Sequence, residues 1–320
     1  MLSVLSTIAI SDSEHRTITD ACGVIDRSER GKLALSGAHA KAFLQGQVTN
    51  DVEALSDGTG CYAAFLTPKG KMLGDVRILA TSDELLLDTE RVALQSLFNM
   101  IRRFSLGFQV ELHKRTLERG LLSLVGPESD AVAAAGELPL DEHAHREVVL
   151  AGVQARAIRT DVGIDLLCDA AETVNLLAAV ERAGAARVSE DTVECLRVEH
   201  GRPRYGVDLD DTVIPEEAGL NARAVSFTKG CYVGQETVAR LHYRGKPNRH
   251  LRGLRLEAAV RSGDEVEFDG RAVGRVTSTA RSPRFGAIAL SLIRREAPPG
   301  TAITVGATRV PGEVVELPFA

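Results

Sequence analysis

The stretch KGCYVGQETVAR, Lys229–Arg240, sets a cysteine between a basic and an aromatic residue and then runs through a glycine into a helical pattern. A glycine followed by Gln235 and an acidic residue is typical of a helix start. Cys231 then comes just before the helix, where the positive helix end and Lys229 both favour the thiolate. The pattern therefore predicts an activated thiol. The alternative is that Cys231 and Tyr232 form a buried pair that fills a gap in the core.

Length and charge limit the class of protein. A chain of 320 residues suits two or three domains, enough to enclose a pocket. The 38 basic and 44 acidic residues give a net charge of -6, which argues against a surface built for phosphate backbones. Nucleic acid is therefore not an expected partner, and any basic site must be local.

The cysteines and the apolar segments indicate the compartment. The five cysteines are odd in number, widely spaced and without metal-ligand spacing, which predicts reduced thiols and no metal site. The start MLSVLSTIAISD has no basic n-region and no long apolar h-region. No segment reaches the roughly 18 apolar residues that a membrane span needs. We expect a soluble cytoplasmic protein with no membrane partner.

The first third of the chain mixes helical and strand patterns. GAHAKAFLQGQ predicts a short helix that buries Phe43 and Leu44 and ends near Gly46. CYAAFL and KMLGDVRILAT predict strands joined by the turn TPKG, with DELLLDT as the next hairpin arm. Apolar residues at three- and four-residue steps then predict a helix with one buried face, formed by Leu94, Leu97, Phe98, Ile101 and Phe104.

A second α+β unit is predicted to follow. It has a short helix after Gly126, strands near EVVLAGVQARAI and GIDLLC, and a helix that ends at Gly184. Asp169 with Glu172 three residues on predicts a capping box at the start of that helix.

The C-terminal part has short alternating runs from about Leu251 onward. The Asp269-Gly270 pair is a hairpin turn signal, so we predict a small antiparallel barrel or sandwich. RGKPNR is the predicted linker. The predicted fold class is α+β, with residues 1–246 as two α+β subdomains and residues 247–320 as a β-barrel.

Glu199 is a candidate ligand residue. Ser189 predicts a helix start and Gly201 its end, so Glu199 lies in the last turn. There its carboxylate faces the negative end of the helix dipole, at a cost of up to about 1 kcal/mol. One interpretation is neutralisation by an arginine, namely Arg197, Arg202 or Arg204. The other is a ligand role, because a carboxylate accepts from two adjacent N–H donors such as the edge of a pterin or a guanine.

Further polar residues lie near the ends of predicted elements. Asn50 and Asp51 alone predict a turn or a helix cap. Asp75 lies within an apolar strand pattern, where aspartate is depleted, so it either faces solvent or points into a site. DLDD, Asp208–Asp211, offers oxygen ligands for a hard cation, but no second ligand group accompanies it, which favours a solvated loop.

A run of basic residues has no acidic member before Glu257; it comprises Arg240, Arg244, Lys246, Arg249, Arg252 and Arg255. Three interpretations of this run are open: a solvated face, a binding surface for an anionic tail, or an RNA-binding surface. Tyr243 is the only aromatic residue in the run, which disfavours base stacking and makes an RNA-binding module the third choice of function.

These segments together resemble the folate-binding YgfZ family, a branch of the superfamily that contains the glycine-cleavage T-protein (aminomethyltransferase). GVIDRSERGKLALSGAHAKAFLQGQVTNDV is similar to the superfamily's opening, and LRVEHGRPRYGVDL to its folate stretch. GRVTSTARSPRFGAIAL and the closing VVELPFA are similar to its C-terminal barrel. KGCYVGQE is the discriminating segment, because the T-proteins carry a related version without the cysteine.

The resemblance implies a three-domain ring of two α+β units and a β-barrel around tetrahydrofolate or a one-carbon derivative. Glu199 would grip the pterin, Asn50 and Asp51 would lie near the folate, and Asp75 would match the T-protein's strand carboxylate. The implied catalytic residues are Cys231, Lys229 and Asp75. The implied cofactor-binding residues are Glu199, Asn50, Asp51, Tyr232, Gln235 and Arg240.

The family is associated with assembly or repair of iron–sulfur clusters in other proteins, including a tRNA-methylthiolating enzyme. The resemblance thus implies a cytoplasmic tetrahydrofolate-binding accessory protein, with Cys231 as the working thiol and iron–sulfur client or assembly proteins as partners. The alternative is a folate-dependent aminomethyltransferase or demethylase-type one-carbon transferase with Asp75 as the catalytic carboxylate. T-proteins also carry basic residues roughly where Ser226 stands, whereas this chain offers Arg223 and Lys229 nearby.

Overall fold

The computed structural model describes residues 11–320, which fall into two compact units. The two-sheet unit comprises residues 16–188 and 221–237. The barrel unit comprises residues 189–220 and 238–320 together with residues 11–15.

The strands of the described chain, in chain order, are β1 Gly23–Asp26, β2 Gly31–Ser36, β3 Gly60–Leu66, β4 Met72–Ala80, β5 Glu84–Thr89, β6 Glu111–Lys114, β7 Arg119–Val125, β8 His145–Leu150, β9 Val153–Arg159, β10 Gly163–Asp169, β11 Ala186–Arg187, β12 Arg249–Leu256, β13 Glu265–Phe268, β14 Arg271–Ser282, β15 Gly286–Arg294, β16 Ala302–Val305 and β17 Val310–Val315. The helices are α1 Asp12–Asp20, α2 Ala40–Gln45, α3 Arg91–Phe104, α4 Ser129–Val132, α5 Thr173–Arg182, α6 Glu190–Glu199, α7 Asn221–Ala224 and α8 Gln235–Arg244, with a 3₁₀ turn at Ala170–Glu172.

The first sheet of the two-sheet unit has five strands in the order β3-β4-β5-β2-β6, all antiparallel to their neighbours. Helix α3 packs on β4, where a Cβ on Gly74 would lie 3.0 Å from Leu97 Cδ1, so the glycine admits the helix. The buried face predicted for α3 holds for Leu94, Leu97 and Ile101. The prediction is wrong for Phe104, which is 51% exposed, because it is the last helical residue and the chain turns away at Ser105.

Local patterns predicted this sheet well. Helix α2 buries Phe43 and Leu44 and ends at Gly46, as expected. The strands predicted from CYAAFL and KMLGDVRILAT are β3 and β4, and their turn is closed by Thr67 and Lys71, whose backbone N–H and carbonyl meet at 2.8 Å. Both predictions are confirmed because each rests on contacts between residues close in the chain.

The second sheet has six strands in the order β11-β1-β7-β10-β9-β8, parallel only between β1 and β11. The capping box predicted at Asp169 is wrong. Asp169 makes no side-chain cap hydrogen bond, a 3₁₀ turn comes before α5, and its carboxylate pairs with Arg119. The expected stop at Gly184 is confirmed, since Gly184 has φ +116° directly after the helix.

The barrel unit contains a closed six-stranded antiparallel barrel in the order β12-β15-β14-β13-β16-β17, with β17 pairing back to β12. Closure leaves no unpaired sheet edge. The predicted hairpin turn is confirmed, because Asp269 and Gly270 have φ of +50° and +70° between β13 and β14. Helix α6 packs on β14 and β15. The predicted α+β fold class with a C-terminal barrel is therefore confirmed.

Candidate functional site

One buried ammonium group ties the segment that begins at Lys229 to the loop after α2. Lys229 is 8% exposed, and its Nζ donates to three backbone carbonyl oxygens, those of Gln45 (2.6 Å), Val48 (2.8 Å) and Asn50 (2.8 Å). The centroid of the Tyr232 ring lies 5.2 Å from the same Nζ. Burial lowers the pKa of Lys229 to about 8, whereas the Asp51 carboxylate acts in the opposite direction. Lys229 therefore holds two segments together.

This geometry changes the interpretation of Cys231. Its thiol is exposed, so the alternative of a buried Cys-Tyr pair is wrong, although Tyr232 itself is buried. All three ammonium hydrogens of Lys229 point to carbonyl oxygens, so the lysine is not the thiol's hydrogen-bond partner. The Lys229 charge acts instead on Cys61, whose pKa burial raises to about 12 and the ammonium lowers in part.

The path of the chain into α8 depends on a glycine. Gly234 has φ +85°, and a Cβ there would lie 2.6 Å from the Thr67 carbonyl oxygen in the β3–β4 turn. The predicted helix start is confirmed, since α8 begins at Gln235, whose N–H donates to the Tyr232 carbonyl at 3.3 Å. Gln235 is half-buried, and Arg240 is exposed one turn further on, in the barrel unit.

Asn50 and Asp51 lie in the loop whose backbone carbonyl oxygens accept hydrogen bonds from Lys229. Asn50 Nδ2 donates to the Tyr62 carbonyl at 2.9 Å and to the Arg223 carbonyl at 3.1 Å, which joins β3 to α7. Asp51 Oδ1 accepts from Gln45 Nε2 at 3.0 Å and from the Ala54 N–H at 3.3 Å. The turn interpretation of this pair is confirmed for Asp51, and the folate role of both residues stays a prediction.

Asp75 is buried and forms one short hydrogen bond. It is 6% exposed, and Tyr62 Oη donates to Asp75 Oδ2 at 2.5 Å. Burial raises the pKa of Asp75 to about 6, against the Tyr62 hydrogen bond. Burial and the neighbouring carboxylate raise the pKa of Tyr62 well above its ordinary value. Of the two possibilities left open by the sequence, the solvent-facing one is wrong, and the hydrogen bond lets Tyr62 and Asp75 share a proton.

The sequence did not single out Tyr62 or the side chains next to it. The Arg223 guanidinium carbon lies 5.3 Å from the Tyr62 ring centroid, and Arg223 pairs with Glu142. The TPKG turn alone does not place Tyr62, because a register shift between Phe65 and Leu66 is what brings Tyr62 opposite Arg77, on the same side of the sheet as Asp75. No local signal pointed to Glu142, since it is 81 residues from its partner.

A buried charge network lies on the same side of the five-stranded sheet. Arg77 NH1 donates to Asp165 Oδ2 of the second sheet at 2.6 Å, and Arg77 NH2 lies 2.9 Å from Asp88 Oδ2. Arg30 Nε donates to Asp88 Oδ1 at 2.9 Å. Burial opposes ionisation of Asp88, but Arg30 and Arg77 outweigh it and hold its pKa below the usual range. The network fixes the two sheets to each other behind Asp75.

In the barrel unit, Glu199 is held by three side chains on one oxygen. Ser282 Oγ donates to Glu199 Oε1 at 2.5 Å, Cys195 Sγ donates at 3.6 Å, and His15 Nε2 lies 3.1 Å away. The predicted place in the last turn of α6 is confirmed. The predicted neutralisation by an arginine is wrong, because none of the described partners of Glu199 is an arginine. Burial raises the pKa of the Cys195 thiol, and the Glu199 carboxylate adds to that effect.

Asp208 corrects the prediction of a solvated DLDD loop. It is 3% exposed and pairs with Arg197 NH1 at 2.7 Å. Thr277 Oγ1 and Ser278 Oγ donate to its Oδ1 at 2.5 and 2.7 Å. Arg197, one of the three arginines expected to neutralise Glu199, thus pairs with Asp208 instead. Within residues 11–320 no cluster of three or more His, Cys, Asp or Glu side chains has the arrangement of a metal site.

Part of the predicted basic run is neutralised. Arg249 pairs with Glu217, with Nε 3.1 Å from Oε1, and Arg252 NH1 lies 3.0 Å from Glu316 Oε2. These pairs reduce the positive field that an RNA backbone would require. None of the described helices is long and apolar enough to span a membrane.

Comparison with known proteins assigns both parts of the chain. Residues 6–229 match the model of the GCVT N-terminal domain, and residues 249–320 match that of the glycine cleavage T-protein C-terminal barrel domain. A chloroplastic protein of Arabidopsis thaliana named as a transferase is 30% identical over 309 residues, covering 92% of this chain and 71% of the relative.

Two aminomethyltransferases extend the comparison. That of Rubrobacter xylanophilus is 30% identical over 318 residues, covering 96% of this chain and 85% of the relative. The crystal structure of the glycine cleavage system aminomethyltransferase T from Bartonella henselae superposes with a TM-score of 0.85 at 22% identity. It covers 96% of this chain and 89% of that one, which shows the same fold.

Proposed function

The chain belongs to the glycine cleavage T-protein family, and we propose that it is a tetrahydrofolate-binding accessory protein for iron–sulfur enzymes, of the YgfZ branch. One observation carries the proposal. The KGCYVGQE segment presents Cys231 as the one exposed thiol among the five cysteines, all of which lie in the described chain. Lys229 and Gly234 hold the segment in place on either side of it. Such a thiol is built for contact with another protein or its cluster.

The fit of tetrahydrofolate rests on Glu199. Its Oε1 accepts from Ser282, Cys195 and His15, whereas Oε2 accepts no hydrogen bond from the described residues. A buried carboxylate that is fixed through one oxygen, and whose other oxygen has no donor among the described residues, suits the N–H edge of a pterin. Asn50, Asp51, Tyr232, Gln235 and Arg240 are proposed as further folate-binding residues. We propose residues 1–246 as the folate-binding region and residues 247–320 as the barrel domain. We also propose that the protein is cytoplasmic.

Cys231 would act as a nucleophile, as a redox thiol or as a transient sulfur ligand to iron. One thiolate does not hold an iron–sulfur cluster alone, so the remaining ligands would come from an iron–sulfur client or assembly protein. Lys229 supports this role by positioning the segment, since its ammonium is bonded to backbone carbonyls.

The test combines calorimetry with tetrahydrofolate and rescue of an iron–sulfur enzyme in cells that lack the protein. Glu199→Gln keeps a side chain of the same size but loses the charge, and we expect at least tenfold weaker tetrahydrofolate binding. Cys231→Ser should bind tetrahydrofolate normally and fail to rescue. Cys61→Ser is the matched control, because Cys61 is the only other cysteine that is not fully buried, and it should rescue. Full rescue by Cys231→Ser would contradict the accessory role.

A second function is favoured by the Tyr62–Asp75 pair. A buried carboxyl group with a pKa of about 6 exchanges protons near neutral pH, as a folate-dependent aminomethyltransferase or demethylase-type transferase requires. Asp75→Asn should then abolish one-carbon transfer to tetrahydrofolate while Cys231→Ser retains it. In the rescue assay, rescue by Asp75→Asn together with failure of Cys231→Ser would favour the accessory role.

A further inference from the structure

We propose that Arg223 recognises a carboxylate of a small ligand beside the Tyr62–Asp75 pair, and that Glu142 occupies its guanidinium until that ligand arrives. The proposal rests on the proposed tetrahydrofolate-dependent function, because it assigns a subsite next to the carboxyl group that this function uses.

The position of Arg223 relative to Asp75 is fixed by other residues. The Asn50 side-chain amide donates to the backbone carbonyls of both Tyr62 and Arg223, at 2.9 and 3.1 Å. The guanidinium carbon then lies 5.3 Å from the Tyr62 ring centroid, and the hydroxyl of that ring bonds Asp75 at 2.5 Å. Asn50 thus fixes the backbone positions of Arg223 and Tyr62, and Tyr62 in turn bonds Asp75. A binding site needs such preorganisation.

The guanidinium is only partly used. A carboxylate binds arginine best through two parallel hydrogen bonds. Arg223 pairs with Glu142 through NH2 alone, and its Nε is buried without a hydrogen-bond partner among the described residues. The side chains of Arg223 and Glu142 are 26% and 31% exposed, so a ligand can reach the pair. Part-exposed ion pairs are weak and are readily exchanged for a better-aligned carboxylate.

The loop that carries Glu142 is held in an unfavourable conformation. The Ala144 N–H donates to the Asp141 carbonyl at 3.0 Å and closes a tight turn, with Glu142 and His143 as its central residues. His143 has φ +74°, a conformation that favours glycine at this turn position. His143 is 9% exposed, burial lowers the pKa of its imidazole to about 3, and Nδ1 has no hydrogen-bond partner among the described residues. Backbone hydrogen bonds from the His143 N–H to the Arg159 carbonyl (3.0 Å) and from the Arg159 N–H to the Ala144 carbonyl (2.8 Å) fix the turn independently of Arg223, so only the Glu142 side chain has to move when a ligand replaces it.

The ligand class follows from the charge. An arginine stacked on an aromatic ring and now paired with a glutamate selects a carboxylate. Two sources share this chemistry, the glutamyl part of a folate and a small amino acid that donates a carbon. Tetrahydrofolate and tetrahydropteroate, which differ only in the glutamyl group, test the first source, and a small N-methylated amino acid tests the second.

The experiment is calorimetry on the full chain with tetrahydrofolate, with tetrahydropteroate, which lacks the glutamyl group, and with N-methylglycine. Arg223→Gln should weaken binding of the carboxylate-bearing probe about tenfold and leave tetrahydropteroate unchanged. Glu142→Gln should strengthen that binding, by up to roughly fivefold, because the competing carboxylate is gone. Glu147→Gln is the matched control, since it breaks an exposed pair with Arg156 in the same unit and should change nothing.

If the two substitutions change the affinity for tetrahydrofolate alone, the carboxylate is that of the glutamyl group. If they change the affinity for N-methylglycine, the carboxylate is that of the amino acid. Either result supports the proposal. The proposal is overturned if both Arg223→Gln and Glu142→Gln melt like wild type and bind every probe with wild-type affinity. Failure of the folate function has a different signature, since neither pterin probe would then bind the wild-type protein. The N-methylglycine measurement still tests Arg223 in that case.

Discussion

Tyr62 donates its hydroxyl hydrogen to Asp75 across the β3–β4 hairpin, at 2.5 Å, and both side chains lie on the face of the sheet away from α3. The ring of the same tyrosine has the Arg223 guanidinium carbon 5.3 Å from its centroid, so Tyr62 contacts both Asp75 and Arg223. Burial raises the pKa of Asp75 to about 6, and this shift makes the protonation of Asp75 measurable through stability.

We expect Asp75 to make stability fall as pH rises through about 6. The folded-state pKa is raised from 3.8 to about 6, so the folded protein binds this proton more tightly than the unfolded chain does. The contribution is complete below about pH 3.8 and lost above pH 6, and it amounts to at most about 3 kcal/mol. Asp75→Asn should remove this dependence, measured by urea unfolding at pH 4 and pH 7.5. Asp83→Asn, at an exposed position, should keep the wild-type dependence. Equal pH profiles for wild type and Asp75→Asn would refute the raised pKa.

Lys229→Met should lower the free energy of unfolding by about 3 kcal/mol, because it leaves three buried carbonyl oxygens without their donor. The rate at which Cys231 reacts with a disulfide reagent should change less than threefold, since the ammonium does not bond the thiol. Lys246→Met, at an exposed position, is the control for loss of one positive charge. A large drop in Cys231 reactivity with unchanged stability would restore the lysine as an activator of the thiol.

Gly234→Ala should destabilise the protein by about 2 kcal/mol or more, because it combines a positive φ with a Cβ that meets the Thr67 carbonyl oxygen. Gly230→Ala lies in the same segment, where an added Cβ meets nothing within 4 Å, and should change stability by less than about 0.5 kcal/mol. Thermal unfolding of the two variants compares them directly, and equal melting temperatures would show that the segment adapts.

Asp208→Asn should destabilise the barrel unit by about 3 kcal/mol, because Arg197 would lose its buried counter-ion. Asp211→Asn changes an exposed neighbour in the same DLDD run and should be neutral. Added calcium or magnesium should leave the melting temperature of the wild type unchanged. A rise of several degrees with either ion would indicate that the run binds a cation after all.

The sequence predicted what depends on near neighbours in the chain. The spacing of Phe43 and Leu44 gave α2, the TPKG turn gave the β3–β4 hairpin, and Asp269-Gly270 gave a barrel hairpin. The KGCYVGQE segment and the barrel-like tail led to the superfamily. Even Gln235 as the start of α8 followed from the residues on either side of it.

Tertiary structure decided the partners of the polar groups. Lys229 bonds carbonyls about 180 residues away instead of the nearby Cys231, and Arg197 bonds Asp208 instead of neutralising Glu199. Local periodicity selects a helix or a strand because its contacts are three, four or two residues apart. A buried charge is satisfied by whichever group the packing of distant elements brings within about 3 Å, and no local pattern encodes that choice.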